Sequence, residues 1–370
     1  MSALPKEPEN KLYGLDHLRA VAILMVFLYH YQMPMFGHPE WLPEFSGFGW
    51  TGVDLFFVLS GFLIASQLFG EMKKTGHISL KTFFIKRFLR IMPAFWVVVG
   101  LYYFLPAFHE RERFLPVWRY LTFTQNLGLN VRTFGAFSHA WSLCVEEHFY
   151  LLLPVVIVCI GYCTAIKKWV VLLSAMLLTT IILRQLIWNN LHVDSDDFGV
   201  NWYQSIYYPT YTRLDGLVIG VAIAAFYQFA PDTWRRICKY GNLWLVLGLG
   251  LLTGAWFLCN DQFTYSASVW GFAVVAMGYG AIVVGAISAG SLLYRWQSKV
   301  TTYIATISYS IYLTHKGVIH VTQNIAAHWQ IPVSGNRMML ICLVACVLSA
   351  YLIYVVVEKP VMRLRRRVVG

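Results

Sequence analysis

An arginine and a histidine are separated by ten residues that are almost all apolar, within residues 18–31. In an α-helix the side chains of Arg19 and His30 would lie on one face, about 16 Å apart along the axis. Ionisable side chains deep in a membrane helix are costly and usually face a bundle interior or a water-filled cavity, where they mark function. This segment alone fits two explanations equally well: a catalytic histidine, or one that only hydrogen-bonds a neighbouring helix.

Acidic side chains and a second histidine occur in other apolar segments, at positions that predict a similar depth. Successive membrane helices run in opposite directions, so a rise of about 1.5 Å per residue places these groups near the level of His30. They are Asp54, Glu146, Glu147, Asp215 and His315. A histidine beside a carboxylate has the composition of a general base whose protonated ring is stabilised by its partner. We therefore predict that His30, Glu147 and Glu146 are catalytic; hydrogen bonds between helices are the alternative.

A group of arginines is predicted at the opposite, inner level. Arg87 and Arg90 are three residues apart, hence on one side of a helix, and Arg19 is expected at the same depth. Guanidinium groups arranged in this way bind phosphate through bidentate, charge-assisted hydrogen bonds. The cluster predicts a phosphate site, and anchoring to anionic lipid headgroups explains it equally well.

The composition of the whole chain predicts an integral membrane protein. Of its 370 residues, 58% are hydrophobic and 13% are charged, which is a lower charged fraction than soluble domains have. A membrane span needs about 20 mostly apolar residues. Ten such stretches lie near residues 17–36, 52–70, 91–109, 142–163, 168–188, 210–229, 241–260, 267–288, 303–323 and 338–357. We predict an all-α polytopic bundle of about ten spans that forms a single domain, residues 1–370.

Basic residues indicate the orientation of this bundle. Most of them fall in alternate loops and in the C-terminal tail, and the positive-inside rule predicts that this side, with both termini, is cytoplasmic. Four arginines fall on the opposite side, where an anionic ligand would explain them: Arg111, Arg113, Arg119 and Arg132. The formal net charge of +11 is accordingly an orientation signal, and we predict no nucleic-acid partner.

Seven cysteines lie mostly within the apolar stretches, and no two of them have CxxC spacing. Cysteine-ligated zinc sites and thioredoxin-type redox sites commonly use CxxC spacing. We therefore predict small buried cysteines, no metal site and no permanently bound cofactor.

Several short motifs in this order resemble those of acyltransferase family 3, a family of membrane acyltransferases. The resemblance covers most of the chain, and one motif on its own would be weak. The matching segments are Leu15-Asp16-His17-Leu18-Arg19 with His30, residues 52–62 around Asp54 and Ser60, Arg87-x-x-Arg90, residues 141–150 from Trp141 to Tyr150, Arg213-Leu214-Asp215-Gly216, residues 307–315 and Glu358-Lys359-Pro360. Two positions depart from the family pattern, because His17 stands in place of a glycine and His148 in place of a glutamine.

The resemblance implies transfer of an acyl group, usually acetyl from acetyl-CoA, to a hydroxyl of a sugar or another acceptor outside the cytoplasm. Arg19, Arg87 and Arg90 would hold the CoA phosphates, and His30 would activate the acceptor hydroxyl with Glu147 or Glu146 orienting its ring. The expected location is the bacterial plasma (inner) membrane, in contact with its lipids. The remaining residues assigned to the pocket or the acceptor are Asp16, Asp54, Ser60, Trp141, Ser142, Tyr150, Arg213, Asp215, Tyr312 and His315.

Two questions of mechanism stay open at this point. Direct attack by the acceptor on the thioester is favoured over an acyl-enzyme formed on Ser60 or a histidine, because no serine is placed beside a base by spacing alone. A proton-coupled transporter that relays protons through His30, Asp215 and the glutamates is the alternative function. Neither the identity of the acceptor nor the oligomeric state follows from the sequence.

Overall fold

The computed structural model describes residues 12–161 and 165–369, and within them every regular element is helical. Ten helices have fifteen residues or more. They are α1 (Tyr13–Tyr31), α2 (Gly52–Thr75), α3 (Leu80–Phe104), α4 (Trp141–Ile160), α5 (Ile166–Trp188), α6 (Asp215–Phe229), α7 (Gly241–Leu258), α8 (Phe272–Ile287), α9 (Lys299–His328) and α10 (Asn336–Ile353). Each overlaps one predicted apolar stretch, although α3 begins eleven residues before its stretch, and the all-helical class is confirmed. Cys163, predicted at the end of the fourth stretch, lies outside the described residues.

Short helical segments fill the connections between the long helices. They are Leu42–Ser46, Gly47–Thr51, Pro106–Phe108, Val117–Leu121, Ser138–Ala140, Phe198–Trp202, Tyr203–Tyr207, Thr210–Thr212, Pro231–Cys238, Ala267–Gly271, Leu292–Arg295, Tyr354–Glu358 and α11 (Lys359–Val369). Three of these, Tyr203–Tyr207, Ala267–Gly271 and Tyr354–Glu358, are single π-helical turns. Such turns often occur at functional sites, and two of them carry residues of the site described below.

Six helices of the described chain are long and apolar enough to cross a membrane, and a seventh is added if the bent pair Asp215–Phe229 and Pro231–Cys238 forms one span. The protein is therefore an integral membrane protein. Three long helices, α1, α3 and α9, fall outside this set, and they carry Arg19, Arg87 and Lys316, respectively. Polar residues of the site lower the hydropathy of these helices. The predicted number of ten spans and the cytoplasmic placement of both termini stay predictions.

Close helix packing defines the centre of the bundle. A Cβ atom on Gly61 of α2 would lie 2.2 Å from the carbonyl oxygen of Leu217, and one on Gly220 of α6 would lie 2.3 Å from that of Val58. Only glycine allows these two backbones to touch, as is common between membrane helices. α1 packs against α2, α8 and α9, whereas α5, α7 and α10 expose most of their surface. The inner helices position the site, and the outer ones present apolar side chains to lipid.

Candidate active site

An inner cavity of about 140 Å³ lies between α1, α2, α3, α4 and α9. Its polar lining brings together the three arginines predicted for the donor site, the two glutamates predicted to be catalytic and several residues predicted for the pocket. The polar lining residues are Arg19, Ser60, Arg87, Arg90, Ser142, Glu146, Glu147, Tyr150, Ser308, Tyr309 and Tyr312. Three guanidinium groups and two carboxyl groups thus share one small space within the bundle.

The three arginines differ in how far the protein already satisfies them. Arg90 pairs with Glu358 at 3.3 Å, and Arg87 donates to Oε1 of Gln67 at 2.9 Å. The Nε of Arg87 is buried without a hydrogen bond to any described residue. Arg19 lines the cavity, and its guanidinium group makes no hydrogen bond to a described residue. Donor capacity therefore remains for an anionic ligand in this cavity.

The carboxyl group of Glu146 is held in place by two hydroxyl groups. Its Oε2 accepts hydrogen bonds from the hydroxyl of Tyr150 at 2.5 Å and from that of Ser60 at 3.1 Å. Tyr150 also lies 5.8 Å from the guanidinium carbon of Arg87. Ser60, Glu146 and Tyr150 thus belong to the wall of the inner cavity.

An outer cavity of about 130 Å³ lies on the other side of Tyr312. Aromatic rings form much of its wall, and His30 contributes to it. The lining aromatic residues are Tyr29, Trp50, Trp141, Tyr203, Tyr207, Tyr208 and Tyr312. Its charged lining residues are Arg111 and Lys316. Tyr203 and Tyr207 reach this cavity from the π-helical turn Tyr203–Tyr207.

The hydrogen bonds around His315 fix which nitrogen of His30 is basic. Nδ1 of His315 lies 3.1 Å and 2.8 Å from the carbonyl oxygens of Ile311 and Tyr312, which can only accept. This nitrogen therefore carries the proton, and Nε2 of a neutral His315 must accept. Its partner at 2.8 Å is Nδ1 of His30, so the Nδ1–H of His30 donates. In the neutral pair, Nε2 of His30 is left with a free lone pair.

Tyr312 separates the two cavities, since it and Val53 are the residues that line both. The hydroxyl of Tyr312 donates to the carbonyl oxygen of His139 at 2.5 Å and accepts from the hydroxyl of Ser142 at 2.6 Å. Both hydrogen bonds hold the ring of Tyr312 in place between the two cavities.

The expected contact between His30 and the glutamates is not formed. Glu146 and Glu147 line the inner cavity, His30 lines the outer one, and the hydrogen-bond partner of His30 within the described chain is His315. The predicted orientation of His30 by Glu147 or Glu146 is corrected accordingly. A rise of 1.5 Å per residue locates a side chain along the membrane normal, but it does not show on which side of Tyr312 the side chain lies.

Asp54, Asp215 and Arg213 line neither cavity, although they were predicted to belong to the pocket. The Nη2 of Arg213 donates to both carboxylate oxygens of Asp54, at 2.8 and 3.0 Å. Arg184 of α5 binds Asp215 with two nitrogens, Nη1 to Oδ2 at 2.6 Å and Nη2 to Oδ1 at 3.0 Å. All four side chains are almost fully buried, so these pairs join helices together.

Three further predicted or atypical positions also lie outside the cavities. Asp16 accepts from the hydroxyl of Thr302 at 3.2 Å. His17, which departs from the family pattern, bonds to the Thr301 hydroxyl and a backbone carbonyl. His148, the other departure, lies 2.7 Å from the hydroxyl of Thr210. Each connects its helix to a neighbouring segment.

Sequence reasoning missed three charged or polar residues of the bundle, Arg184, His139 and Lys316, and it gave Glu358 of the Glu358-Lys359-Pro360 motif no role. Arg184 is a lone charge within an apolar stretch, which is a signal that was available. Lys316 directly follows His315, and His139 stands two residues before Trp141. Lys316 forms a buried ion pair of 2.8 Å with Glu110, a residue in a connecting segment that no periodicity identifies. Within the described residues there is no group of three or more His, Cys, Asp or Glu side chains suited to a metal ion.

Comparison with known proteins gives one family. Residues 12–355 match the profile of the family described as acyltransferase domain. The chain is 28% identical over 368 residues to the O-acetyltransferase OatA of Staphylococcus aureus (strain NCTC 8325 / PS 47), an alignment that covers 95% of this chain and 57% of the relative. A second S. aureus protein (strain COL), whose name marks its O-acetyltransferase activity as unverified, is 29% identical over 86% of this chain and 52% of its own length. The chain thus spans little more than half the length of these relatives. No solved structure gives a significant match.

Proposed function

Because the chain belongs to the acyltransferase domain family, we propose that it is a membrane O-acyltransferase that moves an acetyl group from acetyl-CoA to a hydroxyl of an extracytoplasmic glycan. The observation that carries this proposal is the pair of cavities on either side of Tyr312, one rich in arginine and the other containing a histidine with a free basic nitrogen. All ten long helices would cross a bacterial plasma membrane, with both termini and the inner cavity on the cytoplasmic side.

The donor would enter the inner cavity. CoA carries several phosphate groups, and Arg19, Arg87 and Arg90 offer guanidinium groups that bind phosphate in a bidentate manner. Anionic lipid headgroups share this chemistry, but they do not need a cavity inside the bundle. The pantetheine arm would then extend toward Tyr312, parallel to the three turns of α1 that separate Arg19 from His30.

The acceptor would enter the outer cavity. Its wall of tyrosine and tryptophan rings combines apolar faces with hydroxyl and indole N–H groups, which suits the faces and edges of a sugar ring. A glycan is therefore the class of acceptor that we propose. Membrane lipids would cover the exposed helices without entering this cavity.

In the proposed step, Nε2 of His30 removes the proton of the acceptor hydroxyl while the hydroxyl oxygen attacks the thioester carbon. The carbon–sulfur bond breaks, and the departing CoA thiolate takes the proton from His30. Acceptor ester and CoA–SH leave, and His30 returns to its starting state. His315 keeps the Nδ1 proton of His30 in place throughout, as the orienting partner of a general base does. An acyl-enzyme on Ser60 is disfavoured, because Ser60 lines the inner cavity and His30 the outer one.

The test uses the full chain in proteoliposomes with acetyl-CoA and a panel of carbohydrate acceptors, namely chitotriose, maltose and mannitol. We expect CoA release that increases with at least one acceptor, together with acetylated product in the mass spectrum. The matched variant pair is His30→Ala, which should lose transfer, and His148→Ala, which removes a histidine outside both cavities and should keep it. A substrate-driven pH change across the vesicle without CoA release would instead establish a transporter. Protein-bound radiolabel after incubation with labelled acetyl-CoA alone would establish an acyl-enzyme.

A further inference from the structure

The imidazole of His139 is a polar group with no described partner, in contact with the proposed reaction space. It lines the outer cavity, its residue is 3% exposed, and neither ring nitrogen makes a hydrogen bond to any described residue. Buried polar atoms nearly always have partners, so each exception calls for an explanation. A neutral imidazole carries one N–H, and no hydrogen bond of normal geometry to a described residue uses it.

The ring lies beside the groups already assigned to the chemistry. Its centroid is 5.8 Å from that of His30, 4.8 Å from that of His315 and 5.5 Å from that of Tyr312. It therefore borders both the proposed base and Tyr312, the residue that separates the two cavities.

The backbone that carries His139 is strained and firmly held. Phe137, two residues earlier, has φ of +56°, a left-handed conformation that costs a non-glycine residue energy and persists where the surroundings enforce it. The N–H of Phe137 donates to Glu110 at 3.2 Å, and Lys316 binds Glu110 and the hydroxyl of Ser138.

These clamps continue to His139 itself. Its carbonyl oxygen accepts from Tyr312, and the carbonyl of Ala136 accepts from Tyr120 at 3.2 Å. The left-handed turn and the buried ion pair thus hold the imidazole ring of His139 at the wall of the outer cavity. Strain that is enforced from several directions is typical of functional positions.

Resting on the proposed acyltransferase function, we infer that His139 is a further catalytic residue, which donates its N–H to the carbonyl oxygen of the acetyl thioester. When the acceptor oxygen attacks, electrons move onto this oxygen, and the N–H stabilises the resulting oxyanion. These electrons form the carbonyl bond again as the carbon–sulfur bond breaks. His139 only donates a hydrogen bond in this step, so it neither gains nor loses a proton. A neutral histidine serves as an electrophile of this kind in other enzymes.

The experiment compares steady-state kinetics of His139→Leu, His139→Gln and His139→Ala in proteoliposomes, with acetyl-CoA and the best acceptor of the glycan panel. Leucine keeps the bulk and removes the donor, so kcat should fall about 100- to 1000-fold while KM for acetyl-CoA stays unchanged. His139→Gln retains an N–H donor, so its kcat should be much closer to that of the wild type. Added imidazole should restore kcat of His139→Ala in a saturable manner. His148→Leu is the matched control, and thermal unfolding of each variant verifies folding.

A purely structural role would lower thermal stability without rescue by imidazole or glutamine, and that result would overturn the inference. A change confined to KM of the acceptor would overturn it as well. A wild-type protein that releases no CoA with any acceptor would refute the proposed function and the inference together. An active wild type whose kcat survives in folded His139→Leu would refute the inference alone.

Discussion

Two sets of arginines lie inside the bundle, and the protein treats them in opposite ways. Arg184 and Arg213 are each paired with a buried carboxylate, and each binds both oxygens of one aspartate. Arg213 is also surrounded by rings, with Phe272 at 4.1 Å. Arg19 and Arg87 instead face a cavity with donor groups left over. The fully buried arginines thus belong to the scaffold, whereas the half-buried ones, which no carboxylate of the described chain pairs with, form the proposed ligand site.

The largest effect is expected when an arginine that is paired with a buried aspartate is removed. Arg213→Ala leaves Asp54 buried without its partner, and breaking a buried ion pair costs about 3–5 kcal/mol. We expect a large drop in thermal stability in detergent, with loss of activity following from unfolding. Asp54→Ala with Arg213→Ala removes both charges and should unfold less readily than Arg213→Ala alone. An unchanged unfolding temperature for Arg213→Ala would remove Arg213 from the scaffold set.

An arginine of the inner cavity should give the opposite result. Arg87→Ala removes a charge-assisted hydrogen bond to phosphate, worth about 1.5–3 kcal/mol, so KM for acetyl-CoA should rise about 10- to 100-fold. Thermal stability should change little, because Gln67 is the hydrogen-bond partner that it leaves. Arg87→Lys keeps the charge but not the bidentate geometry and should fall in between. A lower kcat at unchanged KM would contradict phosphate binding.

Arg90 is intermediate between the two sets, because it lines the cavity and also pairs with Glu358. Glu358→Gln retains a hydrogen-bond acceptor and removes the neutralising charge, which frees Arg90 to attract phosphate. KM for acetyl-CoA should fall about two- to fivefold, corresponding to the modest energy of a partly exposed ion pair. The same substitution in an Arg90→Ala background should have no such effect. A rise in KM would show that Glu358 orients Arg90 instead of competing with the ligand.

The smallest effect is expected at the surface. Arg132 and Asp197 form an ion pair whose side chains are 59% and 68% exposed. Solvent and salt screen such pairs, so Arg132→Ala should change the free energy of unfolding by less than about 1 kcal/mol and leave both KM values unchanged. A marked rise in acceptor KM would place Arg132 at the entrance of the outer cavity and extend the ligand-binding set.

The sequence predicted the helices and the inner arginines, but not the partners of the buried acids. Apolar stretches mark helices whatever their neighbours are, and Arg87 and Arg90 share a helix face by spacing alone. The pairing of Asp54 with Arg213, or of Asp215 with Arg184, depends on how helices rotate against each other, which spacing does not determine. The separation of Glu146 from His30 has the same origin, since depth was inferred and rotation was not. His139 lies in the single turn Ser138–Ala140 that follows the left-handed Phe137 and precedes α4, and one turn is too short to show a helical period.

In the proposed reaction the inner cavity binds acetyl-CoA, and acyl transfer takes place in the outer cavity. Titration of acetyl-CoA into His30→Ala, with heat or intrinsic fluorescence as the signal, tests it most directly. We predict a dissociation constant equal to that of the wild type together with transfer reduced to background, because His30 lines the outer cavity only. Loss of acetyl-CoA binding in a folded His30→Ala protein, or transfer at the wild-type rate, would contradict the account.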